Sequence, residues 1–205
     1  KNTLLVFADP AFGSGRQYFQ RLVLAKYGLT SSVTGQRDAA NICLIKDDKL
    51  DEEAYKLSIT GTAIKIYASG QAGMLNAVSS VDQLLSAAEY NGDQIRLNTV
   101  EIEDKPQFAW RGFMLDESRH FFGKEKVKSL LDWMAFYKLN KFHWHLTDEP
   151  AWRLSIQKYP WLTQVGGIGN YLDPYAPVQY YSQADISEII GYAAERNIEV
   201  IPEID

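Results

Sequence analysis

One cysteine, Cys43, is all that 205 residues contain, which excludes an intramolecular disulfide and leaves the redox compartment undetermined. In the stretch NICLIK it alternates with apolar neighbours, as a small core residue does. Histidine is nearly as scarce, with three in the chain, so a histidine-based metal centre would need ligands from further strands. No apolar run approaches the roughly 18 to 20 residues that cross a bilayer. No charged-then-apolar leader opens the chain, so a secretory signal would have been removed before Lys1. Basic residues are not in excess: 21 Lys and Arg face 26 Asp and Glu, for a net charge of −5. The two signs are interspersed, which argues against nucleic acid as a partner, since phosphate recognition needs clustered cations. Internal repeats and low-complexity tracts are also missing. What remains is a globular composition, 46% hydrophobic and 23% charged, with apolar material for one or two cores.

The chain reads as two unlike halves. In the first, residues 4–8 (LLVFA) predict a strand, and Ser14 is placed to cap a helix running to about Tyr27, with Gly28 ending it. Three β-type runs follow, Asn41–Lys46, Tyr55–Thr60 and Ala63–Ser69, the last two joined across Gly61-Thr62 as an antiparallel hairpin. A second helix over about Gln71–Ala88 carries Met74, Leu75, Val78, Val81, Leu84 and Leu85 at helical spacing, and a strand near Ile95–Ile102 closes the unit. This half is α+β, with a mixed or antiparallel sheet and two helices over residues 1–105.

From Lys105-Pro106 the rhythm changes. Trp110–Asp116 predicts a strand, Lys124–Tyr137 an amphipathic helix, Lys141–Leu146 a strand, Gln183–Arg196 a helix begun by Ser182, and Ile198–Ile204 a strand. Strands alternating with helices of this length indicate parallel βαβ units with helices on one face. Residues 106–205 therefore read as the first three strands of a (β/α)8 barrel, which closes with eight. A long connection rich in Gly, Pro and Tyr lies between Trp152 and Tyr181, as functional loops often do. Tyr171, Tyr175, Tyr180 and Tyr181 could face a ligand, but most of them are expected to pack the connection onto the barrel. Gly166-Gly167-Ile168-Gly169 and Gly13-Ser14-Gly15 do not join a parallel strand to a helix as a phosphate loop must, and read as flexible loops.

Side chains alternate along a strand, so in KFHWHLTD the apolar set Phe142, Trp144 and Leu146 lies under the helices. His143 and His145 then point to the barrel axis. In EVIPEID, Glu203 and Asp205 share a face opposite Ile204, and Asp116 ends its strand with Arg119 and His120 in the loop beyond. Working residues of β/α barrels collect at these strand ends. His143 and Asp116 read as members of a satisfied polar network. Arg119 and Asp148 read as ligand-facing loop residues just past strand ends. A rival stays open at this point: His-x-His at a barrel strand end, with Asp148 or Asp205, is also a metal-hydrolase pattern.

The runs RGFMLDESRHFF, LLDWMAFYKLNKFHWHLTDEPAWR, KYPWLT and YYSQADISEIIGYAAERNIEVIPEID, in that order, resemble the family 20 glycoside hydrolases, the β-N-acetylhexosaminidases. The first half resembles that family's accessory domain in EAYKLSITGTAIKIYASGQAGMLNAVSSVDQLL and in the linker IEDKPQFAWRG. The resemblance implies release of terminal N-acetylglucosamine or N-acetylgalactosamine from glycans with retention of configuration. The substrate's own 2-acetamido oxygen is the nucleophile, an exception to the two-carboxylate scheme. A glutamic acid protonates the leaving oxygen and the preceding aspartate orients the acetamido group; no cofactor or metal is implied. By motif position, Arg119 corresponds to the arginine that holds the sugar's 3- and 4-hydroxyls, which its rigid fork of donors suits. Asp148 corresponds to a pocket aspartate and His145 to the histidine near it, whereas Arg111 and Asp116 correspond to structural positions.

The departures matter too. The family's Asp-Glu pair sits in a His-x-Gly-Gly-Asp-Glu motif on a later strand, and no such motif occurs here. Asp148-Glu149 follows HWHLT instead, and Glu149 reads as a loop residue. Pro150-Ala151 stands where Gln-Gly is commoner, which bears on sugar specificity. The catalytic pair is thus expected beyond Asp205, the chain is expected to be an inactive N-terminal portion of the enzyme, and an extracytoplasmic location follows from the family's usual substrates. Two other function classes remain: a barrel relative that lost catalysis but keeps sugar recognition through Arg119, Asp148 and Trp152, and the metal hydrolase.

Overall fold

The computed structural model describes residues 3–91 and 94–205, and the chain separates into two compact units, Lys1–Ala109 and Trp110–Asp205. The first unit runs β1 (Leu4–Ala8), α1 (Gly13–Tyr27), β2 (Ser31–Val33), β3 (Ile42–Lys46), β4 (Tyr55–Ile59), β5 (Ile64–Ala68), α2 (Gln71–Ser86), β6 (Glu89–Asn91), β7 (Gln94–Arg96) and β8 (Val100–Asp104). Its main sheet has the order β2-β1-β3-β5-β4-β8. The expected hairpin is present: β4 and β5 are antiparallel, and the Thr60 N–H donates to the Ala63 carbonyl (3.0 Å) across Gly61-Thr62. The sheet as a whole is mixed, because β1 pairs in parallel with β2 and β3, and β3 with β5.

One face of this sheet packs Val6, Leu44, Leu57 and Ile66 against Phe19 and Val23 of α1 and Met74, Val78 and Val81 of α2. Cys43 is buried on the other face with Ile45, flanked by Phe7 and Tyr67. Two local expectations change. Ser14 does not cap α1, because a 3-10 turn at Pro10–Phe12, closed by the Phe12 N–H on the Asp9 carbonyl (2.9 Å), leads straight into the helix. The single strand expected near 95–102 is two strands: β7 pairs with β6 in a separate two-stranded sheet, and β8 forms the sheet edge on β4. Gly28 ends α1 in the left-handed conformation (φ 65°), where a side chain would be strained.

The second unit runs β9 (Gly112–Asp116), α3 (Lys124–Phe136), β10 (Lys141–Asp148), β11 (Ala151–Trp152), α4 (Trp161–Gln164), α5 (Gln183–Ala194) and β12 (Glu199–Ile204). β9 and β12 flank β10, both parallel to it, and β11 folds back on the end of β10. Phe142, Trp144 and Leu146 are buried against Val127, Leu131 and Met134 of α3 and Ile189 and Ala193 of α5. At roughly 1.5–3 kcal/mol for each large apolar side chain removed from water, this seam is the unit's main stabilising term. The two helices are also joined through Lys124, whose ammonium reaches Asp185 and Glu188 at 2.8 Å each.

The connection from 152 to 181 is more ordered than a plain loop. Besides α4, its ends are tied together by Tyr181 N–H to the Arg153 carbonyl (2.8 Å) and Ser155 N–H to the Tyr181 carbonyl (3.1 Å). Of the four tyrosines weighed for packing only Tyr181 is buried; Tyr171, Tyr175 and Tyr180 are exposed, as is Tyr159, because the loop's fixed points are backbone hydrogen bonds rather than ring packing.

Ser182 caps α5 as expected, in a reciprocal box: its hydroxyl accepts from Asp185 N–H (3.1 Å), and the Asp185 carboxylate accepts from Ser182 N–H (3.1 Å). The hydrogen bond from Lys124, then those from Ser182, hold the Asp185 carboxyl down to about 2. Ser182→Ala is expected to destabilise the protein by about 1 kcal/mol, read as a lowered midpoint of urea unfolding with unchanged slope.

Candidate functional site

Parallel register puts one row of polar side chains across three strands. His145 on β10 is level with Asp116 on β9 and with Glu203 on β12. The alternation that sends Phe142, Trp144 and Leu146 into the helical seam sends His143 and His145 to this opposite face. Glu203 Oε2 lies 2.7 Å from His145 Nδ1 and 2.7 Å from His143 Nε2. On the far side of the ring, His145 Nε2 lies 3.1 Å from Asp148 Oδ2.

Arg119 enters from the turn after β9. Asp116 holds it twice, accepting from its backbone N–H and from Nη1, both at 3.0 Å. Its Nη2 pairs with Asp148 Oδ2 at 2.6 Å, and Nη1 lies 3.1 Å from His145 Nε2. The Arg119 side chain is nevertheless 47% exposed, so part of it meets solvent. Arg119, Asp148 and His145, picked out separately in sequence, are therefore one hydrogen-bonded cluster with an open side.

One expectation needs correction. Asp148 is not on a loop: β10 extends to it because β11 pairs back across a tight hairpin, with Asp148 level with Ala151. That pairing makes Asp148 a rigid strand-end acceptor. Asp116 belongs to a satisfied polar network, as expected, and through it holds both the backbone and the guanidinium of Arg119. Glu149 is exposed in the hairpin turn, its N–H donating to Asp148 Oδ1 (2.6 Å). Arg111 lies away from the cluster, bonded through Nε to the Lys138 carbonyl (2.8 Å).

The charges of the cluster support one another. Burial works against a charged His145 ring, but the hydrogen bond and charge of Glu203, with Asp148 and Asp116, carry its pKa above the ordinary value. The Glu149 amide first, then His145 and Arg119, hold the Asp148 carboxyl low. His145 and His143 likewise keep Glu203 low. The protonated ring donates to Glu203 and to Asp148. Once neutral, with Nδ1–H kept on Glu203, its Nε2 can accept only from Arg119. Among the described residues, no group of three or more His, Cys, Asp or Glu has an arrangement that would hold a metal ion.

Asp148 also forms the rim of a cleft of about 720 Å³ lined by Trp152, Tyr159 and Trp161 with Glu149 and Lys158. Trp152, named in sequence as a sugar-facing aromatic, stands in its wall with its indole N–H on the Leu154 carbonyl (2.6 Å). Sequence reasoning grouped Glu203 with the inward acids but assigned it no partner. It passed over Glu117 and Arg153 and gave Tyr181 no polar role, yet the three form a buried network behind the site. Burial raises the Glu117 pKa, opposed by hydrogen bonds from Tyr181 and the Phe122 amide and by the charge of Arg153. A sequence signal for Arg153 existed in its place right after the hairpin, but nothing in the pattern said that it was buried.

A parallel β/α unit with an arginine fork, acids and histidines at its strand ends, preceded by a mixed α/β unit, has the layout of a β/α-barrel enzyme with a leading domain. The family model "Glycosyl hydrolase family 20, domain 2" matches residues 1–105, and "Glycosyl hydrolase family 20, catalytic domain" matches residues 108–205. The chain belongs to glycosyl hydrolase family 20. It is 42% identical over 176 residues to a β-hexosaminidase of Vibrio furnissii, an alignment covering 82% of this chain and 28% of that protein. It is 43% identical over 169 residues to the N,N'-diacetylchitobiase of Vibrio harveyi, covering 74% and 19% respectively. Among solved structures, a family 20 exo-β-N-acetylglucosaminidase of Vibrio harveyi in complex with N-acetylglucosamine superposes with a TM-score of 0.90 at 31% identity, covering 100% of this chain and 33% of that one. The N-acetyl-β-hexosaminidase of Streptomyces plicatus gives 0.86 at 33% identity, with 100% and 42% covered. The chain thus spans about a third or less of the length of these relatives, except for the Streptomyces enzyme at 42%.

Because the folded state favours a protonated His145, that contribution to stability is complete below the unfolded pKa of about 6.5 and is lost as pH rises through the raised folded value. The low pKa values of Asp148 and Glu203 act oppositely: their contribution is present above the unfolded carboxyl values and is lost as pH falls through the folded ones. Urea unfolding across pH should show both limbs, and His145→Gln should flatten the alkaline one. An unchanged alkaline limb in H145Q would show that another group sets it.

Proposed function

We propose that this chain is the N-terminal part of a retaining exo-β-N-acetylhexosaminidase that removes terminal N-acetylglucosamine or N-acetylgalactosamine from glycans outside the cytoplasm. The observation that carries the reading is the Arg119 guanidinium, paired with Asp116 and Asp148 while its side chain stays 47% exposed. Held this way, the guanidinium is restrained, and its remaining N–H groups suit sugar hydroxyls. Charge-assisted hydrogen bonds of that kind are worth about 1.5–3 kcal/mol each. Asp148 accepts from Arg119 and remains at the strand end as a further acceptor, while His145 locks Asp148 and Glu203 in place.

Membership of family 20 supports the rest of the reading. The substrate's 2-acetamido oxygen attacks the anomeric carbon, an aspartate orients that group, and a neighbouring glutamic acid protonates the departing oxygen. The present residues supply grip and orientation of the sugar, and the acid pair belongs to a later strand of the barrel. The relative solved with N-acetylglucosamine supports the same substrate class here.

In the full-length polypeptide, Arg119→Ala should lower kcat/KM on a chromogenic N-acetylglucosaminide by at least about 100-fold, the loss of two charge-assisted hydrogen bonds. Wild-type kcat/KM in R119A would overturn the reading. The 205-residue chain alone should not turn over that substrate, and turnover by a preparation free of longer species would place the acid pair within it.

A further inference from the structure

We infer that Arg153 is a positioning residue for the sugar site, acting through the turn that carries Arg119. The inference rests on the reading of Arg119 as the sugar-gripping residue. Arg153 is fully buried, and its five N–H donors have five backbone carbonyls to meet. Nε donates to Glu117 (3.0 Å), Nη2 to Ser118 (3.2 Å) and Gly169 (2.8 Å), and Nη1 to Gly167 (3.0 Å) and Gln179 (3.0 Å). Glu117 and Ser118 are the two residues before Arg119. Gly167, Gly169 and Gln179 belong to the long connection.

Other bonds tighten the same joint. The Arg119 carbonyl accepts from the Tyr171 N–H (3.1 Å), so the connection grips this residue's own backbone. Ser118 Oγ donates to the Ala151 carbonyl (2.8 Å), tying the turn to the hairpin that ends β10 at Asp148. The Glu117 N–H donates to the His145 carbonyl (2.9 Å). The buried Glu117 carboxylate accepts from the Phe122 N–H (2.8 Å) and the Tyr181 hydroxyl (2.7 Å), and its charge offsets that of Arg153. The backbone on both sides of the Arg119–Asp148 pair is thereby fixed from behind by groups that do not reach the open face.

A buried apolar side chain would fill this space without the desolvation cost of a charge, but it would take a donor from five carbonyls of three segments, of which Gly167 keeps a second donor, the Gln179 N–H (3.0 Å). Lysine offers donors from a single point and cannot span them. The guanidinium is suited to holding the segments in one relative position. That position sets where the Arg119 fork points, and a displacement near 1 Å can cost about 100-fold in rate.

The test is a double-mutant cycle in the full-length polypeptide, with kcat/KM on a chromogenic N-acetylglucosaminide for wild type, R119A, R153K and R119A/R153K, and urea midpoints for each. Arg153→Lys should lower kcat/KM at least about tenfold, and in the R119A background the same change should alter it by less than about twofold, because the group it acts through is gone. Glu117→Gln with Arg153→Met, which removes both buried charges together, should show the same loss and the same silence on R119A if R153K folds poorly. Multiplying losses, or a wild-type kcat/KM for R153K and the neutral pair, would overturn the inference while leaving the sugar reading intact. A wild-type R119A would overturn both.

Discussion

The burial of Phe142, Trp144 and Leu146 on one side of β10 is the constraint on which the second unit depends. A strand has two faces and its side chains alternate between them. Once three large apolar residues are sealed under α3 and α5, the residues between them have one direction left. His143 and His145 point to the other face because their neighbours cannot. The same burial fixes register, since slipping β10 by one residue would expose the apolar set and bury the histidines. From that register comes the row Asp116, His145 and Glu203, contributed by three separate stretches of chain.

The row explains why so many charges coexist at one end of the unit. Each acid has a cation or donor opposite it: Asp116 with Arg119, Asp148 with Arg119 and His145, Glu203 with both histidines. Paired in this way, the groups need little rearrangement to receive a polar ligand, because the orienting bonds are already made. The scaffold behind them, Glu117, Arg153 and Tyr181, is also polar and is wholly buried. Buried polar networks stabilise only when every member is satisfied, and here the Arg153 donors all find backbone carbonyls. Grip at the front and order at the back are thus two layers of one hydrogen-bonded assembly.

Much of this was legible from residue order. The helices at 13–27, 71–86, 124–136 and 183–194, the hairpin across Gly61-Thr62, and the start of α5 at Ser182 all follow from spacing and local chemistry. Where the reading missed, the cause was pairing at a distance. A short 3-10 turn displaced the expected Ser14 cap, and β6 captured the start of what looked like one strand as β7. The fold-back of β11 made Asp148 a strand residue, and bonds to the backbone held the long connection in place of its tyrosine rings.

By itself the sequence determined the alternation of strand faces, the helical seams, the family resemblance and the identity of Arg119, Asp148 and His145 as a set worth linking. These depend on periodicity and on motifs a few residues long, which lie along the chain. The tertiary structure alone decided that Glu203 sits against His145, that Asp116 steers Arg119, and that Arg153 is sealed inside with its donors on five carbonyls. Those facts join residues 14 to 58 positions apart, apart from the three-residue step from Asp116 to Arg119. Contacts of that range are set by register and burial, which exist only once the strands have paired.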